Sequence, residues 1–111
     1  MEAKLEDDED FHLVVADPHH RSRTMIVEFP SANCTRHSIK RKQMRRARAA
    51  FVRACGYPSS SYFTRLRGKA TISGVGFFDF YHGQTGVAPN AIELHPVLNF
   101  TNANCSNGGR P

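Results

Sequence analysis

Residues 74–100 read GVGFFDFYHGQTGVAPNAIELHPVLNF, and the fold follows from how this stretch alternates. Over residues 69–80 the period of two puts Ala70, Ile72, Gly74, Gly76, Phe78 and Phe80 on one side, which is the signature of a strand. Gly74 and Gly76 on that side invite a bend or bulge, as a strand coiling around a barrel requires. A glycine-bounded loop over residues 82–90 follows. Then Ile92, Leu94, Leu98 and Phe100 alternate inward, while Glu93, His95 and Asn99 point out. Pro96 removes a backbone donor and so marks an edge or a bulge.

Working outward, residues 11–16 (FHLVVA) and 24–29 (TMIVEF) are β-rich runs joined by the polar DPHHRSR, which reads as a hairpin. Residues 2–5 add a short first strand with EDDED as its turn. Between the hairpins the sequence predicts a helix from about Ser38 to Ala54. Met44, Ala47, Phe51, Ala54 and Cys55 share one stripe, and Arg41, Lys42, Arg45, Arg46, Arg48 and Arg53 lie opposite. Gly56 and then Pro58 end it. The expected fold is mainly β (α+β): a small five-stranded, OB-like antiparallel barrel with one basic amphipathic helix between strands 3 and 4. An open α+β sandwich is the rival. Residues 1–101 form the single domain, residues 2–10 being an acidic arm or a truncated first strand, and residues 102–111 read as a disordered tail.

The chain has 111 residues, room for one modest core, and no apolar run approaching the roughly 20 residues of a membrane span. No signal segment precedes the acidic start, which predicts a cytoplasmic protein, or an exported one if the chain lacks its signal peptide. The net charge of +5 is unevenly spread. Residues 2–10 carry six acids against Lys4, and residues 21–69 carry thirteen Lys or Arg against Glu28 alone. A basic middle of this density suits nucleic acid or another polyanion, or serves solubility alone. With Arg21 and Arg23 of the first hairpin loop added, the helix arginines and Lys42 are the candidate polyanion contacts. Phe11, Phe29, Phe77 and Tyr81 are candidates for stacking on bases, or else core. Of the three cysteines, Cys34 and Cys55 bracket the helix and could form a disulfide; three free thiols are the alternative.

Asp79, His82, Glu93 and His95 stand at the shoulders of the 82–90 loop. Glu93 and His95 share a strand face, and a hairpin would return Asp79 and His82 to the same end. Two imidazoles with carboxylates suit a divalent metal such as zinc or manganese, or acid–base work. Gln84 and Asn90 could add polar contacts. The structural alternative is that Asp79 caps the loop while His95 packs beside Pro96. The GQTG turn lacks the lysine and helix of a phosphate loop, so its glycines serve turn geometry. Two functions follow from different classes: a small binding module with a basic face, or a metal-assisted, nuclease-like hydrolase. A truncated first strand would also leave the edge beside residues 11–16 open, predicting a homodimer through it.

The segments HLVVAD, TMIVEFP, GVGFFDF and HGQTGVAPNAIELHPVL together resemble a family of small, largely uncharacterised bacterial proteins that are often exported. The resemblance covers most of residues 4–100. It implies a site region around the second hairpin and a secretory setting, and brings no reaction and no catalytic residues with it.

Overall fold

The computed structural model describes residues 1–78, 83–88 and 91–109, with residues 34 and 107–109 described through the backbone alone. Its elements are β1 (Glu2–Leu5), β2 (Phe11–Asp17), β3 (His20–Phe29), α1 (Ala32–Thr35), α2 (Arg41–Cys55), β4 (Thr64–Phe78) and β5 (Ile92–Gly109). The five strands form one sheet in the order β1-β2-β3-β5-β4, and β1 also pairs with β4, so the sheet closes on itself as a barrel. Every pairing is antiparallel except β3 with β5, which is parallel.

Alternation along the strands decides what faces inward. Phe11 and Leu13 of β2, Val27 and Phe29 of β3, and Val97 and Phe100 of β5 are buried in the core with Ala3 and Leu66. The stripe of α2 lies across one end of these strands. Met44, Ala47, Phe51 and Cys55 are buried, as the helical period predicts. Phe51 is fully buried, its ring 5.6 Å from Phe11, 5.0 Å from Phe29 and 5.6 Å from Phe100. The helix starts at Arg41, later than expected, because Ser38 is spent in the preceding turn: its hydroxyl accepts from Lys40 N–H at 3.1 Å. Gly56, at φ 87°, ends the helix, and its N–H returns to the Val52 carbonyl.

Four expectations are corrected. The first strand is intact, pairing with β2 from Glu2 to Leu5 and with β4 at Glu2 and Ala3, so the expected homodimer through a wholly open edge loses its premise. The tail is ordered through Gly109: β5 continues past Phe100 and pairs with β4 back to Arg65. Gly68 permits this at φ 124°, where a Cβ would collide with the Asn104 carbonyl. Cys55 is disulfide-bonded to Cys105, not to Cys34, which ties the end of α2 to the extended part of β5. The inward phase also slips. Register shifts on both sides of Gly74 bring Val97, not Leu98, to full burial, and leave Phe78 70 % exposed.

Candidate metal centre

The outer face of the β2–β3 hairpin is where polar groups gather. The register sets His12 opposite Glu28 and Val14 opposite Ile26, the positions alternating with the core-facing ones. This face would be solvated, but residues 83–88 fold back over it. Thr24 Oγ1 donates to the Gly86 carbonyl at 3.0 Å, and His12 Nε2 lies 3.1 Å from the Thr85 carbonyl. Gly86, at φ 85°, lies so close to Val14 that a side chain would clash there. Under this roof His12, Val14, Ile26 and Glu28 are all buried.

His12 Nδ1 lies 3.1 Å from Glu28 Oε1 and 3.6 Å from Glu6 Oε2. One ligand atom from each of Glu6, His12 and Glu28 falls within 4.8 Å of the others. Both ring nitrogens of His12 therefore face acceptors, which is the arrangement of an imidazolium. Burial opposes that charge, but the bonds to Glu28 and Glu6 outweigh it and raise the His12 pKa to about 10. Glu28 is pushed up to about 7 by burial, with Glu6 and Asp10 adding repulsion against the pull of His12. Asp10 is also raised by burial, although its Oδ1 accepts from Ser31 N–H at 2.8 Å.

These groups line a cleft of about 190 Å³. Glu93 and His95 form part of its wall, as does Gln84 of the roof. The parallel pairing of β5 with β3 brings Glu93 beside Ile26, where it is 4 % exposed. His95 meets Phe77 edge-on with ring centres 5.8 Å apart. The structure thus joins Glu93 and His95 to a cluster that sequence reasoning missed. Asp79, His82 and Asn90 lie outside the described residues, as do Tyr81 and the Cys34 side chain. A signal for the missed pair was present: a histidine in FHLVVA and a glutamate in TMIVEF, each interrupting an apolar run on facing strands of one hairpin.

The basic residues sit elsewhere. Arg41, Lys42, Arg45, Arg46 and Arg53 are exposed on α2, and Arg21 and Arg23 are exposed on β3. Arg48 departs from that set. Its Nη1 donates to the Phe29 and Pro30 carbonyls at 3.1 and 3.4 Å, and its guanidinium lies 3.6 Å above the centre of the Phe11 ring. Among the described residues no lysine or arginine pairs with a carboxylate; the ion pairs all involve histidine. Of the stacking candidates, Phe11 and Phe29 are core, while Phe77 is 46 % exposed. No described helix is long and apolar enough to cross a membrane.

No protein-family model, curated protein or solved structure matches this chain. Its chemistry therefore has to be argued from the cleft. Two carboxylates and an imidazole within ligand reach of a common point are a donor set suited to zinc or manganese. The same atoms are at present bonded to one another. A cation held there would stand in for the His12 proton and give the surrounding carboxylates a counter-charge.

Proposed function

We propose that this chain is an OB-type barrel that binds one divalent cation, zinc or manganese, and uses it in phosphoester hydrolysis. The observation that carries this reading is the convergence of Glu6, His12 and Glu28 in a roofed cleft. The OB reading is supported by the strand order, by the parallel β3–β5 contact and by the placing of the helices between β3 and β4. It is also supported by location, since ligands of OB barrels use the face of strands 2 and 3 with the loops between strands 1 and 2 and between strands 4 and 5. Here those parts supply Glu6, His12, Glu28 and Gln84. In this reading Glu6, His12 and Glu28 would hold the cation, which when bound would supply Lewis-acid polarisation of a phosphoryl oxygen and a bound water of lowered pKa. Glu93, buried in the cleft wall that His95 also lines, would accept the proton of that water.

The test is hydrolysis of bis(p-nitrophenyl) phosphate by the metal-stripped protein with zinc or manganese added back. Activity should appear with one equivalent of metal and be lost in Glu28→Gln, whereas Glu93→Gln should keep the metal and lose the rate. A protein that binds metal with no turnover would leave the cation a structural element.

A second reading rests on the exposed cations of α2, none of which meets a carboxylate among the described residues. We propose that this face contributes weak, sequence-tolerant binding to nucleic acid or another polyanion. Arg48 takes no part, since its guanidinium is engaged with Phe11 and two carbonyls.

A further inference from the structure

The face that carries the cation cleft runs on across the sheet to an aromatic ring. Residues set opposite one another in a strand pair turn their side chains to the same face. The register places Val14 opposite Ile26, Ile26 beside Glu93, and Glu93 opposite Phe77, so these four make one row across β2, β3, β5 and β4. His12 and Glu28 lie two residues along from Val14 and Ile26 on that outer face, and by the same period His95 follows Glu93. Glu93 and His95 line the cleft, and Phe77 lies one strand beyond them. Its ring packs against His95, with 5.8 Å between ring centres, and the residue is 46 % exposed. From Glu28 on β3 to Phe77 on β4 is two strand spacings, about 10 Å.

We propose that Phe77 is a base-stacking subsite of this cleft, and that the ligand is a phosphodiester of single-stranded nucleic acid. Its phosphate lies over the Glu6–His12–Glu28 centre and its base lies flat on the Phe77 ring. The inference rests on the cation reading above and narrows it from phosphoesters in general to nucleotides. In a nucleotide a single sugar separates phosphate from base, so the two need neighbouring places on one face, as the cleft and Phe77 are. The contact with His95 fixes where the ring sits, and a preplaced ring stacks a base at little entropic cost. Between the centre and the ring stand Glu93 and His95. Polar groups there suit a sugar and disfavour the acyl chain of a phospholipid diester, which would have to desolvate them. A duplex is disfavoured as well, because paired bases keep their faces against one another and must be extruded before a side chain can stack on them.

The probe is the phosphorothioate dinucleotide of thymidine, which resists hydrolysis, titrated into the full zinc-loaded chain by calorimetry and by proton NMR. It should bind at least about tenfold more tightly than the same backbone without bases. A thymine methyl resonance should move upfield in the ring current of Phe77. Phe77→Leu should remove both the preference and the shift, and Phe77→Trp should restore them. Stripping the zinc should weaken both compounds alike and so reports on the cation, whereas the ratio between them reports on Phe77. A base preference that Phe77→Leu abolishes, in a chain that fails to turn over bis(p-nitrophenyl) phosphate, would remove the hydrolase reading and support the subsite. Should Phe77→Leu fail to fold, the compound without bases and the methyl shift on the unaltered chain still decide the matter. Three results would overturn the proposal: no binding at millimolar dinucleotide, equal binding of the compound without bases, or a folded Phe77→Leu chain that keeps the preference.

Discussion

The roofed cleft over β2–β3 and the outer face of α2 both concentrate charge, yet the chain treats the two in opposite ways. In the cleft, Glu28 and His12 are buried, face each other across a strand pair and titrate far from their ordinary values. On α2, Arg41, Lys42, Arg45, Arg46 and Arg53 are exposed and none meets a carboxylate among the described residues. Charge becomes chemistry where packing fixes its neighbours and removes water, and remains a diffuse field where it does not. Arg48 marks the boundary, lying on the same helix but drawn inward over Phe11.

The largest expected effect tests the side of α2 that faces the barrel. Phe51→Ala removes the ring between Phe11, Phe29 and Phe100 and should cost about 3–5 kcal/mol in urea unfolding. In the cleft, His12→Ala leaves Glu28 buried among other carboxylates. Without added metal it should destabilise the fold by about 3 kcal/mol, since breaking a buried pair strands the other charge. Arg48→Ala should cost about 1–2 kcal/mol through the lost ring and carbonyl contacts. Reversing Arg45 and Arg46 to Glu should move stability by less than about 0.5 kcal/mol. It should nonetheless flatten the salt dependence of binding to single-stranded DNA or heparin. A double reversal that unfolds the chain would show that the two faces of α2 are not separable.

The cleft also predicts a pH dependence. The pKa of His12 is raised to about 10 in the fold, so its stabilising contribution is complete below its unfolded value of about 6.5 and is lost as pH rises through 10. Glu28 is raised to about 7, so the fold favours its protonated form, and stability falls as pH climbs from its unfolded value of about 4.3 through 7. Both shifts have the same sign. The denaturation midpoint should be higher at pH 6 than at pH 9, although net charge is nearer zero at the higher pH. A midpoint that rises toward pH 9 would show that net charge outweighs the cleft.

How much of this was legible in the chain follows physical lines. The phase of α2 was, because its apolar stripe has a clean 3.6-residue period and Gly56 stops it. The strands of both hairpins were, through their alternation. The extension of β5 was not: TNANCSN carries turn formers, and pairing with β4 overrides that local preference. The Cys55–Cys105 bond depends on that extension, so it was hidden with it. In the site, Glu93 and His95 were read from their shared face. Glu6 looked like one acid in a charged turn, and His12 like one polar residue in a strand. Their meeting with Glu28 needs the β2–β3 register and the folded-back loop, which are tertiary facts.

The most direct test of the central claim is calorimetric titration of the metal-stripped chain with manganese and with zinc, at pH 6, 7 and 8, in buffers of different ionisation enthalpy. A cation that replaces the proton on His12 and binds ionised Glu28 should bind once per chain, releasing about two protons at pH 6 and about one at pH 8. Its affinity should rise more than tenfold per pH unit below pH 7 and approach tenfold per unit toward pH 8, because His12 stays protonated up to about pH 10 while Glu28 ionises near 7. His12→Ala and Glu28→Gln should abolish that binding, and Arg45→Glu should leave it unchanged. Affinity that is flat in pH, with no proton released and no loss in His12→Ala, would contradict the account and leave Glu6, His12 and Glu28 as an internal ion-pair network that holds the loop.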